Sequence, residues 1–267
     1  MASGKVVVQG HFGEILQGRF GSRGTVALVT LPCDTLRCTL WRAPGPLRLF
    51  QPDGRVLTPA ELLRLLAALG LPPSGGHVLH LDMPVAAGAG ASTAVRVAIA
   101  RAAGITGPER IAQACLASEG ASDPLMFVGA GRLLWASRHG RVLARMPALP
   151  RFEVLGGFLG AGQRTDPADD RFPDITDLVA EWQAGPPDLA ALGRLASASA
   201  ARCLALRGPA ADPTAALARQ FGAAGWLIAH TGSARGLIFA PGQVPGAAVA
   251  ALRQAGFSGI TRFTGGG

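Results

Sequence analysis

The 267-residue chain has no tyrosine, a single lysine (Lys5), four cysteines and only 6% aromatic residues. Each shortage narrows the field. Nucleic acid is gripped by clustered basic residues interleaved with aromatic stacking platforms, whereas the arginines here are scattered and rings are few. The net charge of +8 and pI near 11.0 therefore suit an anionic small ligand such as ATP better than a nucleic acid. Cys33, Cys38, Cys115 and Cys203 form no Cys-x-x-Cys pair and keep no metal-ligand spacing. No apolar stretch reaches the ~18 residues of a membrane span, because Arg, Gly or Pro interrupts every one. The strand-like Lys5-Val6-Val7-Val8 comes too soon for a secretory signal. The expectation is a cytoplasmic, reduced protein with no nucleic-acid or membrane partner.

What the chain does have is material for a core: hydrophobic residues make up 49%, and the length suits one large domain or two closely packed small ones. Its organising stretch is Pro84-Val85-Ala86-Ala87-Gly88-Ala89-Gly90-Ala91-Ser92-Thr93-Ala94, followed by a helix in which Val95, Ala98, Ile99 and Ala102 share a face. A glycine-rich turn entering a helix leaves the first N–H groups unpaired, with the positive end of the dipole behind them. That is an anion site, and Ser92 and Thr93 add hydroxyls able to ligate Mg²⁺ or cap the helix. Small residues packed at a helix start read equally well from the local pattern. His77 to Met83 forms a strand feeding this loop, an order that favours the anion site.

The stretch is neither a P-loop nor a dinucleotide fingerprint. It resembles the second motif of the GHMP kinases, roughly Pro-x-x-x-Gly-Leu-Gly-Ser-Ser-Ala-Ala, with Pro84, Gly88, Gly90, Ser92 and Ala94 in register. Ala89 replaces the Leu and Ala91 the first Ser. The resemblance implies that Pro84, Gly88, Ala89, Gly90, Ala91, Ser92 and Thr93 bind ATP, and that Ser92 meets Mg²⁺. Gly13-Glu14-Ile15-Leu16-Gln17-Gly18, followed by Val29-Thr30-Leu31-Pro32, is similar to the opening of the L-threonine kinases of cobalamin biosynthesis, a branch of that family. Phe12 stands where that branch has a small Cys and is expected to reshape the acceptor pocket. Gly10 to Gly18 reads as a turn whose backbone approaches a ligand, or as a plain hairpin.

Further along, Ser122, Asp123, Met126 and Phe127 align with the branch's Glu-Pro-Thr-Asp-Ser-x-Met-Phe sequence. The resemblance places Asp123 by the acceptor hydroxyl, as base or orienting group, although capping the turn before Pro124 is an alternative. Glu119 stands one residue early for the family's Mg²⁺ acid. It is either that ligand or a helix-end carboxylate. Gly225 to Phe239, two apolar strands around a small polar turn, resembles the third motif. There His230, Thr231, Gly232 and Ser233 are expected to meet the acceptor, their N–H groups taking a carboxylate with Arg235 nearby, while Glu14 takes an ammonium.

Other elements follow from local signals. Thr58-Pro59-Ala60-Glu61 is a capping box and Gly70 a stop. Thr25–Leu31 and Thr35–Trp41 read as separate strands, and Thr106-x-x-Glu109 caps a helix running to about Ser118. Leu133–Ala136 and Val142–Arg145 make a hairpin. Gly160 to Asp174 is a solvated polar loop, helices cover about 174–184 and 188–206, Pro245 to Gly256 is a helix, and the final glycines are loose. Pro147 to Pro150 is the boundary. The implied fold is α+β in two parts: a ribosomal S5 domain 2-like half over 1–148, holding the nucleotide, and a ferredoxin-like half over 149–267. The implied activity is ATP- and Mg²⁺-dependent phosphorylation of a small hydroxyl-bearing partner, L-threonine first, with homoserine or an amino alcohol as alternatives and a homodimer left open. Ala91, Val95 (Asp in that branch) and the shifted Glu119 leave a ligand-binding relative without catalysis as the other class.

Overall fold

The computed structural model describes residues 4–209 and 211–267. Its spine is a long antiparallel ribbon of β1 (Gly4–Phe20) and β2 (Thr25–Pro46). Neither strand matches the expectation from sequence. The glycine-rich stretch at 10–18 is not a turn; it is the middle of β1, broken only by register shifts at Gln9/Gly10, His11/Glu14 and Glu14/Leu16. At those shifts β1 turns part of its hydrogen bonding to the glycine-rich loop before α2, His11 N donating to Ala89 O at 3.1 Å and Gly13 N to Gly88 O at 3.1 Å. Gly13, at φ +64, and Gly10, where a Cβ would stand 2.5 Å from Ala89 O, allow that crossing. The two strands expected at 25–41 are one, because Pro32 falls opposite His11 beside the break, where its missing N–H breaks no regular ladder.

β2 also pairs with β4 (Ser74–Leu81), to which β3 (Arg48–Phe50) runs parallel. Between them lies α1 (Pro59–Ala68), opened by the capping box: Glu61 N donates to Thr58 Oγ1 at 3.2 Å and Thr58 N to Glu61 Oε2 at 2.7 Å. Then come the loop, α2 (Ala91–Ala102) and α3 (Pro108–Glu119). Thr106 does not cap α3. Gly107 holds that position and Pro108, its φ preset for the first turn, begins the helix; Gly120 at φ +83 ends it. A 3₁₀ turn (Ala130–Arg132) leads to the hairpin of β5 (Leu133–Ala136) and β6 (Arg141–Arg145), with β5 on β2.

The second half runs β7 (Phe152–Phe158), α4 (Thr176–Gln183), α5 (Leu189–Arg207), α6 (Thr214–Gln220), β8 (Gly225–Ile228), β9 (Ala234–Phe239), α7 (Ala248–Gln254) and β10 (Ser258–Gly265). The last helix is shorter than expected, since Pro245 starts a turn that passes into α7. The glycine tail is held in part: Gly265 pairs with Phe152, and Gly267 N donates to Leu149 O. The main sheet has the order β10-β7-β9-β8-β1-β2-β4-β3. The halves join where Glu14 of β1 faces Ile228 of β8.

Phe12 rivets that junction. It is fully buried, with ring centroids 5.6 Å from Phe158 and 5.5 Å from Phe263. Such pairs add about 0.5–1.5 kcal/mol beyond the area they bury. Gly156 supplies the room, since a Cβ there would lie 2.6 Å from the Phe12 ring. Phe12 thus faces the core and does not line the cleft, which corrects its expected role in shaping an acceptor pocket. α5 is long and apolar enough to cross a membrane by length and composition, but Leu192, Leu195, Ala196 and Ala200 are buried inside the fold, and Arg194 and Arg202 pair with Glu181 and Asp177.

Candidate active site

A cleft opens where the glycine-rich loop, β1, the turn after α3 and the 160–170 loop meet. Its floor is the start of α2. Gly90 sits at φ +72 as the N-cap with no side-chain cap, and the first helical hydrogen bond is Ala94 N to Gly90 O. The N–H groups of Ala91, Ser92 and Thr93 precede that bond and present the positive end of the dipole to the cleft. The glycines have a further reason to be glycine. A Cβ on Gly90 would stand 2.5 Å from the His11 ring, and one on Gly88 (φ +75) would stand 2.2 Å from the Ala229 Cβ. Backbone geometry and internal packing demand them, whatever a phosphate requires.

Ser92 Oγ donates to Glu119 Oε2, so the structure brings these two together across a 27-residue separation. Glu119 is the last residue of α3, and that helix end lies beside the start of α2. Beneath them lies Arg96, one helical turn beyond Ser92 and wholly buried. Its guanidinium donates to Ser92 O at 3.0 Å and, through Nε, to Ser118 Oγ at 2.9 Å, and it pairs with Glu119 Oε2 at 3.1 Å. Arg164, from the 160–170 loop, pairs with Glu61 at 2.9 Å and lies 3.8 Å from Glu119. Burial works against the charge on Glu61, yet Thr58 and the two guanidiniums hold its carboxyl below the usual range. The loop is solvated as expected, residues 160–168 all being exposed, yet it is tethered: Gln163 N donates to Ala86 O at 2.8 Å, which ties it to the glycine-rich loop.

Mg²⁺ demands oxygen ligands, keeps several waters and usually arrives with phosphates, so it asks few side chains of the protein. The adjoining Ser92 hydroxyl and Glu119 carboxylate are oxygens of that kind, and a bound ion would share them with Arg96, whose Nη1 donates to Ser92 Oγ at 2.5 Å and pairs with Glu119 Oε2 at 3.1 Å. No group of three His, Cys, Asp or Glu among the described residues forms a metal cage by itself.

Asp123 stands beside the same helix turn. Its N–H donates to Thr93 Oγ1 at 3.1 Å, and Thr93 Oγ1 donates to Asp123 Oδ2 at 3.2 Å. His11 Nε2 lies 3.3 Å from that same oxygen. Burial opposes the carboxylate, but His11 and the Thr93 hydroxyl outweigh it and keep Asp123 below the usual carboxylate range. Burial likewise opposes the His11 imidazolium, and Asp123 with Glu14 outweighs it, raising the pKa to about 8. His11 and Asp123 thus form an ion pair at neutral pH. An acid so held is ionised, fixed in direction, and suited to orienting a hydroxyl. Nothing in the spacing of His11 singles it out; only the β1 crossing carries it there.

Glu14 lines the cleft and is buried, accepting His230 N at 3.3 Å, with His230 Nδ1 at 3.7 Å. Burial opposes charge on His230, but Cys203 and Glu14 prevail and raise it to about 9. The 230–233 turn braces the loop. Ser233 N donates to Ala87 O at 3.0 Å, and a Cβ on Gly232 would collide with the Ala87–Gly88 peptide at 2.2 Å. Thr231 lines the cleft, whereas His230, Gly232 and Ser233 do not. Arg235 turns away to Asp212 Oδ2 at 2.7 Å and to the carbonyls of Ala229, Gly232 and Ala234.

This arrangement belongs to a known architecture. The fold is the α+β fold of the GHMP kinases, as comparison with solved structures shows. The mevalonate kinase of Methanococcus jannaschii superposes with a TM-score of 0.70 at 11% identity, covering 99% of this chain and 98% of that one. The L. major mevalonate kinase, solved with R-mevalonate, gives 0.67 at 19% identity over 99% and 96%. A homoserine kinase from Cytophaga hutchinsonii gives 0.61 at 17% over 98% and 94%. The chain matches no protein-family model and no curated protein sequence. Similarity at these identities shows the fold alone.

Proposed function

We propose that the protein is an ATP-dependent kinase that phosphorylates the hydroxyl of a small acceptor, L-threonine giving O-phospho-L-threonine. The observation that carries this is the meeting, on one helix turn, of an anion-facing α2 start, the Ser92–Glu119 oxygens and the Asp123 carboxylate. Phosphoryl transfer asks a protein chiefly to position groups and offset charge. The Gly88–Thr93 backbone receives the phosphates, and Ser92 with Glu119 holds Mg²⁺, which supplies charge neutralisation when bound. Asp123, ionised and directed by His11 and Thr93, accepts the hydrogen bond of the acceptor hydroxyl and aims its oxygen. Arg164, paired with Glu61, adds a positive charge at the rim. The four free, buried cysteines fit a reducing, cytoplasmic setting.

Threonine rests on the motifs at 13–18 and 122–127. Homoserine is the second reading, favoured by the structural similarity to a homoserine kinase. Measuring ADP release with Mg²⁺ and L-threonine, L-homoserine, L-serine and simple amino alcohols tests both. A pocket that must distinguish one methyl separates acceptors by only about 10–200-fold, so serine should react slowly beside threonine. ATP bound with no ADP release for any acceptor would refute the kinase reading.

A further inference from the structure

Four polar side-chain atoms of residues that line the cleft have no hydrogen-bond partner: Gln17 Oε1, Ser122 Oγ, Ser137 Oγ and Arg138 Nε. A buried unpaired polar group costs about 1–3 kcal/mol, so four around one cavity need an explanation. The residues carrying the three oxygens are at least nine-tenths buried, at 6%, 4% and 3% exposure for Gln17, Ser122 and Ser137. Their surroundings do not explain them, because the neighbouring backbone is satisfied. Ser122 N donates to Ser137 O at 3.0 Å, and Ser122 O accepts from Trp135 Nε1 at 2.7 Å. That frame locks the Ser122 backbone to β5, directly before Asp123, with both hydroxyls left over. Arg138 follows Ser137 and lines the same cleft; its Nη2 donates to the Asp166 carbonyl at 3.1 Å, leaving Nε free. Two hydroxyl donors and a guanidinium edge make a receptor for a carboxylate. Gln17 Oε1 is an acceptor only, and calls for an N–H or O–H on the ligand.

We propose that Ser122, Ser137 and Arg138 form the carboxylate-binding corner of the acceptor subsite, with Gln17 taking a donor from the same molecule, so that the acceptor is a hydroxy amino acid and not a bare alcohol. The inference rests on the kinase reading above and narrows its substrate class. An anion at this corner has two sources, the acceptor's carboxylate or a phosphate of the nucleotide, and the geometry favours the first. Asp123 is tied to α2 through Thr93, whereas the Ser122 backbone is tied to Ser137 and Trp135, and Arg138 is held by the Asp166 carbonyl of the 160–170 loop, with no bond from Ser122, Ser137 or Arg138 to α2 among the described residues.

The test compares L-threonine and L-homoserine with their carboxylate-free amino alcohols in wild type, Arg138→Met and Ser137→Ala, following ADP release and thermal unfolding. Losing a charged hydrogen-bonding partner should raise KM for the acids by about 10–100-fold in Arg138→Met, with KM for ATP unchanged and the amino alcohols shifted by less than about twofold. Ser137→Ala should raise the acids' KM several-fold without lowering Tm, since it deletes an unpaired buried hydroxyl. A merely structural serine would do the reverse. A rise in KM for ATP assigns the corner to phosphate and overturns the proposal, as do wild-type amino alcohols that react as well as the acids. If no acceptor releases ADP, the kinase reading fails separately, and calorimetric titration with the same acids still reads the corner. Binding weakened in Arg138→Met supports it, and no binding of either acid, or equal binding to both proteins, overturns it.

Discussion

His11→Gln is the sharpest probe of the site, because it removes one charge without changing the side chain's reach. In the wild type His11 is 2% exposed and its pKa is raised from 6.5 to about 8 by Asp123 and Glu14 acting against burial. At ~1.4 kcal/mol for each pH unit between folded and unfolded values, that corresponds to about 2 kcal/mol. The sign follows from a raised value. Below pH 6.5 both states are protonated and the contribution is complete; it fades as pH rises through 8, because the folded state then gives up the extra proton it holds. His230, raised to about 9, behaves the same way at higher pH, but it is present in both proteins and its share cancels in the difference. In the wild type Asp123, held below the usual carboxylate range, is ionised throughout this window. Urea unfolding from about pH 6 to about pH 9 should show the wild type's advantage over His11→Gln shrinking by about 2 kcal/mol, most of it between 6.5 and 8. Parallel stability profiles for the two proteins would refute the His11–Asp123 ion pair and the directed carboxylate built on it.

Two further outcomes follow from the same geometry. Asp123→Asn keeps the shape and the Thr93 contact but loses the charge, and should slow turnover by about 10²–10⁴-fold with ATP binding intact in a titration; near-normal turnover would remove Asp123 from the chemistry. Arg96→Met leaves Glu119 and Glu61 without their buried partner, and should cost about 3–5 kcal/mol, or roughly 10 °C in Tm by calorimetry. Adding Glu119→Gln to that variant should recover part of the loss, because the stranded carboxylate is then gone.

Much of the local structure was legible without coordinates. Thr58 and Glu61 three residues apart name their own helix start, and Gly70 its stop, because capping geometry is a matter of neighbours along the chain. The glycine-rich run into α2 likewise announces a tight loop entering a helix, since periodicity and the missing side chains are visible in the letters. Chain-local reasoning failed where a strand met something distant. Gly10 and Gly13 look like a turn until β1 is seen to cross the glycine-rich loop, and Pro32 looks like a strand end until its place opposite His11 is known.

The candidate site divides along the same line. Ser92, Glu119 and Asp123 were available from motif spacing, but that Ser92 touches Glu119 depends on how α2 packs beside the end of α3. His230, Gly232 and Ser233 sit in the motif, yet the turn spends its groups on Ala87 and Glu14, a choice made by the packing of β8 and β9 against the loop. His11, Arg96, Ser137 and Arg138 carry no sequence signature, because a buried charge or an unpaired hydroxyl is defined by what surrounds it. Residue order alone determined roughly where helices form and that a glycine-rich loop leads into α2. Only the tertiary structure decided which polar groups meet, since burial and partnership are properties of distance in space and not of separation along the chain.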